Sequence, residues 1–376
     1  MIASILAFLT TAIVLGAYFP AIPKAGVIGP VIGGQYPFHL ALLAMAGAAL
    51  GVLAWHSGLV RWGRILTAVT ALSTVAALVI SGIQFAAARD AGTKVSFSQV
   101  FSQLAYPGGA TPDTTQIYAT RDGEALEADV YLAKKGEGNK APAIVLAHAG
   151  GFHTFDKNDL RGTGRWLADH GVAVIAVDYR LASPGRPTWN KAPHDLMAAL
   201  GWVQDHADQY GIDASRISLG GMSAGGTLAM NTAYRLQNGT LQATDGTTPK
   251  PPASVVGFYP GTDVNDMWKD DIAGTREAAE LFTGGTPAQY PERYRAVSPT
   301  TDVQKGLQRT LLVVGDRDRS ARSETIKHFG ASLRAQGVDT TVKELPFAEH
   351  AFDDAYGSLT SQTSRQILLD FLSKDT

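Results

Sequence analysis

Charged residues are distributed unevenly along this chain of 376 residues. No aspartate or glutamate precedes Asp90, so all 34 acidic residues lie at or beyond that point. Only Lys24, Arg61, Arg64 and Arg89 are basic in the residues before it. A helix in contact with water needs a polar face, and this segment has too few charges to provide one. The chain is therefore predicted to combine an N-terminal membrane region with a larger domain of ordinary composition.

Three apolar stretches in the N-terminal region are long enough to cross a bilayer, which takes about 20 residues. They lie near Ile2–Phe19, Pro37–Trp55 and Ile65–Ala88. The first stretch has no positive residue before it and no clear small-residue cleavage site after it, as a signal peptide would have. Gly47 and Gly51 in the second suit close packing of helices in lipid. The sequence predicts a multi-pass anchor of three transmembrane helices at residues 1–89.

The orientation of this anchor follows from positive charge near its ends, which is retained on the cytoplasmic side. Arg61 and Arg64 lie in the short loop before the third stretch, whereas Lys24, Arg89 and Lys94 would lie on the opposite side. Short loops have the stronger influence on orientation. The sequence therefore predicts the C-terminal domain on the extracytoplasmic side.

Residues 90–112, rich in Ser, Gly and Gln, are predicted to be a linker with a short interfacial helix near residues 95–104. Beyond them, strand-like and helix-like segments alternate, which indicates a mostly parallel sheet covered on both faces by helices. A hairpin around Asp122 and Gly123 opens the domain. The strands are predicted at 117–119, 126–131, 143–148, 172–178, 216–221, 254–259, 309–314 and 340–345.

The resulting domain, residues 113–376, belongs to the α/β class, and its longest excursion between strands is at about residues 263–306. Several aromatic residues in that excursion predict a cap over a site at the carboxyl ends of the strands; the alternative is a surface insertion. The formal net charge of −2 argues against nucleic acid as a partner. The absence of cysteine excludes disulfides and thiolate metal ligands.

A Gly-x-Ser-x-Gly segment stands between a predicted strand and a predicted helix, with Ser223 at its centre and Gly221 and Gly225 around it. In a nucleophile elbow, a serine occupies a sharp strand-to-helix turn that exposes its hydroxyl. Side chains in place of the two glycines would collide with the neighbouring strand and helix. The segment therefore predicts Ser223 as a nucleophile.

A serine hydroxyl needs a base to take its proton and a third group to orient that base. In this architecture the carboxylate and then the histidine follow the serine in the chain. Asp316 and Asp318 follow the predicted strand 309–314, and His350 follows the strand 340–345. Each lies on a loop after a strand, where catalytic side chains are expected. His350 is predicted as the base, and either aspartate can orient it.

Acyl transfer also needs backbone N–H donors for the developing oxyanion. Ala224, the residue after the nucleophile, is expected to supply one. A glycine-containing loop, His148-Ala149-Gly150-Gly151-Phe152, follows the strand 143–148 and can supply the others. His148 is expected to brace this loop.

These motifs together resemble the hormone-sensitive-lipase-like and bacterial carboxylesterase group of the α/β-hydrolase superfamily. The segment from His148 to Gly151 is similar to that group's His-Gly-Gly-Gly loop, and residues 178–182 match its Asp-Tyr-Arg-Leu-Ala segment. The resemblance implies an α/β-hydrolase fold over residues 113–376. Three departures are Ala149 in place of a glycine, Met222 where the group often has aspartate, and Ser183 where proline is usual.

The resemblance also implies site roles. Ser223 is the nucleophile, Asp318 the orienting carboxylate and His350 the base; Asp318 is favoured over Asp316 because it fills the Gly-x-x-Asp position counted from Gly315. The implied oxyanion donors are Gly150, Gly151 and Ala224. Residues predicted to line an apolar acyl pocket are Phe152, Met222, Tyr259 and Phe352.

The predicted activity is that of a membrane-anchored serine carboxylesterase acting on small-molecule or lipid esters through an acyl-enzyme. No cofactor is implied, and no ligand spacing supports a metal. Three alternatives use the same sequence features. They are a membrane acyltransferase or lipid-tailoring enzyme that excludes water, a catalytically silent membrane scaffold, and an amide hydrolase of the same fold.

Overall fold

The structure is a computed structural model, and it describes residues 1–22, 24–105, 109–134, 140–243 and 246–374. The predicted linker residues 106–108 lie outside the described residues. The chain forms two compact units. The first, called the helical unit, comprises Met1–Tyr106, Gly315–Asp318 and Glu344–Gln366. The second, called the sheet unit, comprises Pro107–Val314, Arg319–Lys343 and Ile367–Thr376.

The helical unit contains the N-terminal apolar stretches, each of which is helical. Its N-terminal helices are α1 (Ile2–Tyr18), α2 (Ala25–Ile28), α3 (Pro37–His56), α4 (Val60–Asp90) and α5 (Phe97–Ser102). A π-helical turn at Gly29–Gly33 precedes α3. Helix α5 lies within the predicted interfacial helix at residues 95–104, and the side chain of Ser96 caps its first turn.

Two of the three predicted membrane spans are long and apolar enough to cross a bilayer in the part of the chain that the structure describes. These are α3 with 20 residues and α4 with 31 residues. The first predicted span forms α1, which has only 17 residues. At about 1.5 Å per residue, α1 is ~26 Å long and stays short of a hydrocarbon core of about 30 Å.

Small residues allow α3 and α4 to pack closely. A Cβ added to Gly47 would lie 2.9 Å from Cγ2 of Thr70, and one on Gly51 would lie 2.6 Å from Oγ1 of Thr67. The buried hydroxyls of α4 bond to carbonyl oxygens of the preceding turn in the same helix: Thr70 to Leu66, Ser73 to Val69, Thr74 to Thr70 and Ser81 to Ala77. Most of the buried polar side chains of α4 therefore form hydrogen bonds within the helix itself.

The sheet unit is built around an eight-stranded mixed sheet in the order β1-β2-β4-β3-β5-β6-β7-β8. The strands are β1 (Thr114–Arg121), β2 (Glu124–Tyr131), β3 (Ala141–Ala147), β4 (Ala173–Val177), β5 (Ile212–Met222), β6 (Ser254–Phe258), β7 (Arg309–Gly315) and β8 (Thr340–Leu345). Strand β2 pairs antiparallel with β1 and β4, and the pairs from β4 through β7 are parallel. The structure thus has a strand at every position predicted from the sequence.

Local sequence explains much of this sheet. Asp122 and Gly123 form the predicted hairpin turn with φ values of 52° and 80°, the left-handed region that Asp and Gly tolerate best. Every residue of β4 and β6 is buried, as expected for parallel strands covered on both faces.

The remaining helices are α6 (Arg161–Asp169), α7 (Ala192–Asp205), α8 (Ala224–Gln237), α9 (Val264–Asp270), α10 (Thr275–Thr283), α11 (Pro291–Val297), α12 (Ser323–Ala335) and α13 (Leu359–Ser373).

The predicted cap region lies between β6 and β7 and is mostly helical. It contains α9, α10 and α11, followed by a 3₁₀ turn at Pro299–Asp302. The indole of Trp268 donates a hydrogen bond to Glu280 at 2.7 Å and so joins α9 to α10. The region is therefore an organised helical insertion of the sheet unit.

Candidate active site

Ser223 lies at the turn between β5 and α8, and its backbone is strained. Its φ of 51° and ψ of −117° lie where non-glycine residues are rare. The N–H of Ser223 donates to the carbonyl oxygen of Phe258 at the end of β6, at 2.8 Å. Because β5 and β6 pair in parallel up to Met222 and Phe258, the sheet fixes where the turn begins.

The two glycines around Ser223 are required by close backbone contacts. A Cβ on Gly221 would overlap the backbone carbonyl of Gly225, the second residue of α8. A Cβ on Gly225 would overlap the carbonyl oxygens of Ala147 and His148, at the end of β3. The elbow predicted from the sequence is therefore a turn that only this glycine pattern allows.

The loop after β3 lies against this elbow and carries the predicted oxyanion donors. Gly150 and Gly151 have φ values of 111° and 58°. The carbonyl oxygen of Gly150 accepts from the N–H groups of His153 and Thr154 at 3.1 and 3.0 Å, which closes the loop into a tight turn. Ala149 does not have a positive φ, so its substitution for the glycine usual in the group causes no backbone strain.

Tyr179 supports the loop after β3 in a way that the sequence pattern did not indicate. The ring of Tyr179 stacks on that of His148 with centroids 4.3 Å apart, and its hydroxyl donates to the His148 carbonyl oxygen at 3.0 Å. Burial lowers the pKa of His148, which favours the neutral ring. Next to Tyr179, the Arg180 guanidinium forms a buried ion pair with Asp195 at 2.6 Å.

The predicted pocket residues of the sheet unit are all buried. They are Phe152, Met222 and Tyr259. The ring of Phe152 stacks on that of Phe282 in α10, with centroids 4.0 Å apart and planes 8° from parallel. The helical insertion therefore contacts the loop that carries Gly150 and Gly151. Phe352, the fourth predicted pocket residue, is fully buried in the helical unit.

Asp318 and His350 lie together in the helical unit. His350 Nδ1 is 2.9 Å from Asp318 Oδ2. The Asp318 side chain is fully buried, whereas a quarter of the His350 side chain is exposed. Burial acts to lower the pKa of His350, but the adjacent Asp318 carboxylate and its hydrogen bond outweigh this, and the pKa is raised above 6.5.

Two loops hold this pair, one after β7 and one after β8. The N–H of Asp316 donates to Leu345 O at 3.0 Å, and that of Arg317 to Ala348 O at 2.9 Å. Within the loop after β7, the N–H of Asp318 donates to Gly315 O at 3.2 Å. The Asp316 carboxylate lies 3.8 Å from Arg317 Nε, and burial raises its pKa. Of the two candidate aspartates, Asp318 is the one bonded to His350.

The structure thus presents two half-sites, each within one unit. The nucleophile half-site in the sheet unit holds Ser223, Ala224, Gly150 and Gly151. The acid–base half-site in the helical unit holds Asp318 and His350. Among the described residues, no group of three or more His, Cys, Asp or Glu side chains is arranged to hold a metal ion.

Comparison with known proteins identifies the family. Residues 128–333 match the model of the BD-FAE family. The chain is 28% identical over 254 residues to the esterase LipC of Mycobacterium tuberculosis, covering 66% of this chain and 62% of LipC. It is 37% identical over 121 residues to an ethyl acetate hydrolase of Pseudomonas putida, covering 31% of this chain and 37% of that protein. The chain thus spans less than two thirds of the length of either relative.

Solved structures show the same fold. A thermophilic esterase of Thermogutta terrifontis, Est2, superposes with a TM-score of 0.57 at 22% identity, over 72% of this chain and 96% of that one. Its form phosphorylated by paraoxon superposes with a TM-score of 0.55 at 21% identity, over 70% of this chain and 96% of that one. Because the family match extends over more than half of the chain, this protein belongs to the BD-FAE family.

Proposed function

We propose that this protein is a membrane-anchored serine carboxylesterase that hydrolyses small-molecule or lipid esters through an acyl-enzyme. Ser223 is its nucleophile, His350 its general base and Asp318 the group that orients His350. Gly150, Gly151 and Ala224 supply the backbone N–H donors for the oxyanion. The esterases among its relatives support this class of reaction.

The observation that carries the proposal is the left-handed backbone of Ser223 at the turn between β5 and α8. A strained backbone of this kind costs about 1–3 kcal/mol and persists only where the surroundings impose it. The glycines at 221 and 225 and the bond from Ser223 N–H to Phe258 O impose it here. A serine in this conformation presents its hydroxyl at the start of a helix, where the N–H of the next residue is free of intrahelical bonding.

The reaction proceeds in two acyl-transfer steps. His350 Nε2 takes the hydroxyl proton of Ser223 as Oγ attacks the ester carbonyl, and the N–H donors stabilise the tetrahedral oxyanion. The C–O bond to the alcohol breaks, and His350 returns the proton to the leaving oxygen. Water then attacks the acyl-enzyme with His350 again as base, releasing the acid and the serine hydroxyl. Asp318 keeps the imidazole tautomer with its proton on Nδ1 throughout.

The N-terminal helices support membrane anchoring. Outside their ends, α3 and α4 carry no charged side chain, and large apolar residues such as Leu53 and Leu72 are exposed on them. Such exposed apolar surface suits contact with lipid. The proposed location of the catalytic residues is the extracytoplasmic side. The proposed acyl pocket is lined by Phe152, Met222, Tyr259 and Phe352, which favours an ester with an apolar acyl group.

The test uses the full chain in detergent with a short-chain p-nitrophenyl ester and with paraoxon. The unaltered protein is expected to release p-nitrophenol from the ester and to become phosphorylated on Ser223 by paraoxon. Ser223→Ala should lose both, while Ser215→Ala, an exposed serine in β5, should retain both. Removal of a catalytic nucleophile typically lowers the rate by many orders of magnitude. If Ser223→Ala retained a tenth of the hydrolysis rate, the nucleophile assignment would therefore be overturned.

The same assay separates hydrolysis from the alternatives. With methanol or glycerol added, an esterase forms mostly the free acid, whereas an acyltransferase forms mostly the new ester. Faster cleavage of a p-nitroanilide than of the matched p-nitrophenyl ester would identify an amide hydrolase. Absence of both hydrolysis and labelling in the folded protein would identify a catalytically silent scaffold.

A further inference from the structure

One buried polar side chain in the interior of α4 carries an amide, whereas the others carry hydroxyls. Gln84 is 2% exposed, and its amide bonds outside its own helix, unlike the hydroxyls of Thr70, Thr74 and Ser81. Gln84 Nε2 donates to the carbonyl oxygens of Gly34 and Pro346, at 2.8 and 3.2 Å. Burying an amide in an apolar helix is costly unless it is hydrogen-bonded. These two carbonyls satisfy the N–H groups of the buried amide, whereas Gln84 Oε1 has no hydrogen-bond partner among the described residues.

A second glutamine reaches the same loop from the segment before α3. Gln35 Nε2 donates to the carbonyl oxygen of Ala351 at 3.1 Å. Pro346 and Ala351 stand on either side of His350, four residues before it and one residue after it. The two amides therefore hold the loop at both of its ends.

The segment between these two anchor points is strained and closely packed within the helical unit. Phe347 and Ala351 have φ values of 53° and 56°, which non-glycine residues rarely adopt. The Phe347 ring packs edge-on against Tyr18 of α1, with centroids 5.1 Å apart. A Cβ on Gly34 would overlap the Phe347 carbonyl oxygen, so this approach requires glycine. Strained residues persist only where neighbouring groups impose their conformation, and here the neighbours come from the N-terminal helices and from Arg317 in the loop after β7.

We infer that Gln84 and Gln35 are positioning residues for the catalytic base: through residues 346–351 they fix the direction of the His350 imidazole. The N-terminal helices then have a catalytic role besides anchoring. This inference rests on the proposed function of His350. A displacement of about 1 Å in a catalytic group can lower a rate roughly 100-fold, and loss of the two amides would release the loop from its strained conformation.

The experiment compares Gln84→Met and the double variant Gln84→Met/Gln35→Met with the unaltered full chain in detergent. Methionine keeps the length of the side chain and removes the amide. Ser81→Ala is the matched control, because Ser81 is equally buried in α4 but its hydroxyl bonds to Ala77 O of its own helix. We expect Gln84→Met to lower kcat on a p-nitrophenyl ester by about tenfold to 100-fold with KM unchanged, and the double variant to lower it further. Ser81→Ala should keep both constants.

Amide hydrogen exchange in peptides covering residues 344–352 gives a readout that does not depend on activity. Exchange there should accelerate in both glutamine variants and not in Ser81→Ala. If His350→Ala abolishes hydrolysis while the double variant keeps kcat and exchange at the unaltered values, the positioning role is overturned and the proposed function stands. If hydrolysis does not require His350, the proposed function fails and the positioning role fails with it, whatever the exchange rates show about the loop.

Discussion

His350 Nδ1 lies 2.9 Å from Asp318 Oδ2, and the two residues stand on loops that follow the adjacent strands β7 and β8. A carboxylate is an acceptor only, so the shared proton belongs to Nδ1 of the neutral imidazole. That tautomer leaves Nε2 as the acceptor, which is the state a general base requires. Neighbouring strands thus determine which nitrogen of His350 can take a proton from a nucleophile.

The first prediction concerns the two aspartates after β7. Asp318→Asn is expected to lower kcat by roughly 10⁴-fold, because an amide can donate to Nδ1 and favours the wrong tautomer. Asp316→Asn is expected to lower it less than tenfold, because Asp316 faces Arg317. Steady-state kinetics on a p-nitrophenyl ester measures both, with circular dichroism as the check on folding. If the two effects are reversed, the orienting residue is Asp316.

The second prediction concerns pH. Burial acts to lower the pKa of His350, but Asp318, Glu349 and Asp353 together raise it, so the imidazole stays protonated above the ordinary value of 6.5. Because only the neutral ring can act as the base, kcat/KM should rise with pH through a midpoint above 6.5. A profile of kcat/KM between about pH 5 and 9 measures it. A midpoint below 6.5 would show that burial outweighs the three carboxylates.

The features that could be predicted from the sequence are those with a local signal. The turn at Ser223 is indicated by glycines close in sequence and by the apolar strand before them. The positions of the strands along the chain are indicated by the alternation of strand-like and helix-like segments. The Arg180–Asp195 pair and the bonds from Gln84 to Pro346 had no such signal. They join residues that are not neighbours in sequence. A single glutamine in an apolar helix forms no repeating pattern from which its partner could be predicted.

The first helix covers the predicted apolar stretch to within one residue, but it is shorter than the two helices that are long enough to span a membrane. An apolar run indicates a span by composition alone, but α1 ends at Tyr18, where the Tyr18 hydroxyl donates to the carbonyl oxygen of Ala76 in α4 at 3.0 Å. Pro20 follows two residues later and cannot donate a backbone hydrogen bond. A side-chain contact across the helical unit and a proline together mark the end of this helix.

The third prediction tests the elbow. Gly225→Ala should destabilise the fold by about 1–3 kcal/mol or more and abolish hydrolysis, because its Cβ would overlap the carbonyl oxygens of Ala147 and His148. Thermal unfolding and ester hydrolysis measure the two effects. Gly201→Ala in α7 is the matched control, since its Cβ would make an ordinary contact of 3.5 Å with Pro249.

We expect Gly201→Ala to stabilise the protein by up to about 1 kcal/mol, because alanine is the better helix former, and to leave hydrolysis unchanged. A stable, active Gly225→Ala protein would mean that the loop after β3 can move away from the elbow, and that the close approach seen here is not needed for catalysis.

The last prediction concerns membrane topology. Gln35, before α3, and Gln84, near the end of α4, both bond to the loop at residues 346–351, as expected if α3 and α4 form a hairpin whose open ends face the same side. Arg61 and Arg64 then lie at the opposite, cytoplasmic side, near the turn between the two helices. We therefore expect protease added to spheroplasts to remove a C-terminal tag without permeabilisation. A protected C-terminal tag would place the catalytic residues in the cytoplasm. A tag before α1 reports separately on that helix: it should be protected if α1 crosses the membrane as a third span, and cleaved if α3 and α4 are the only two.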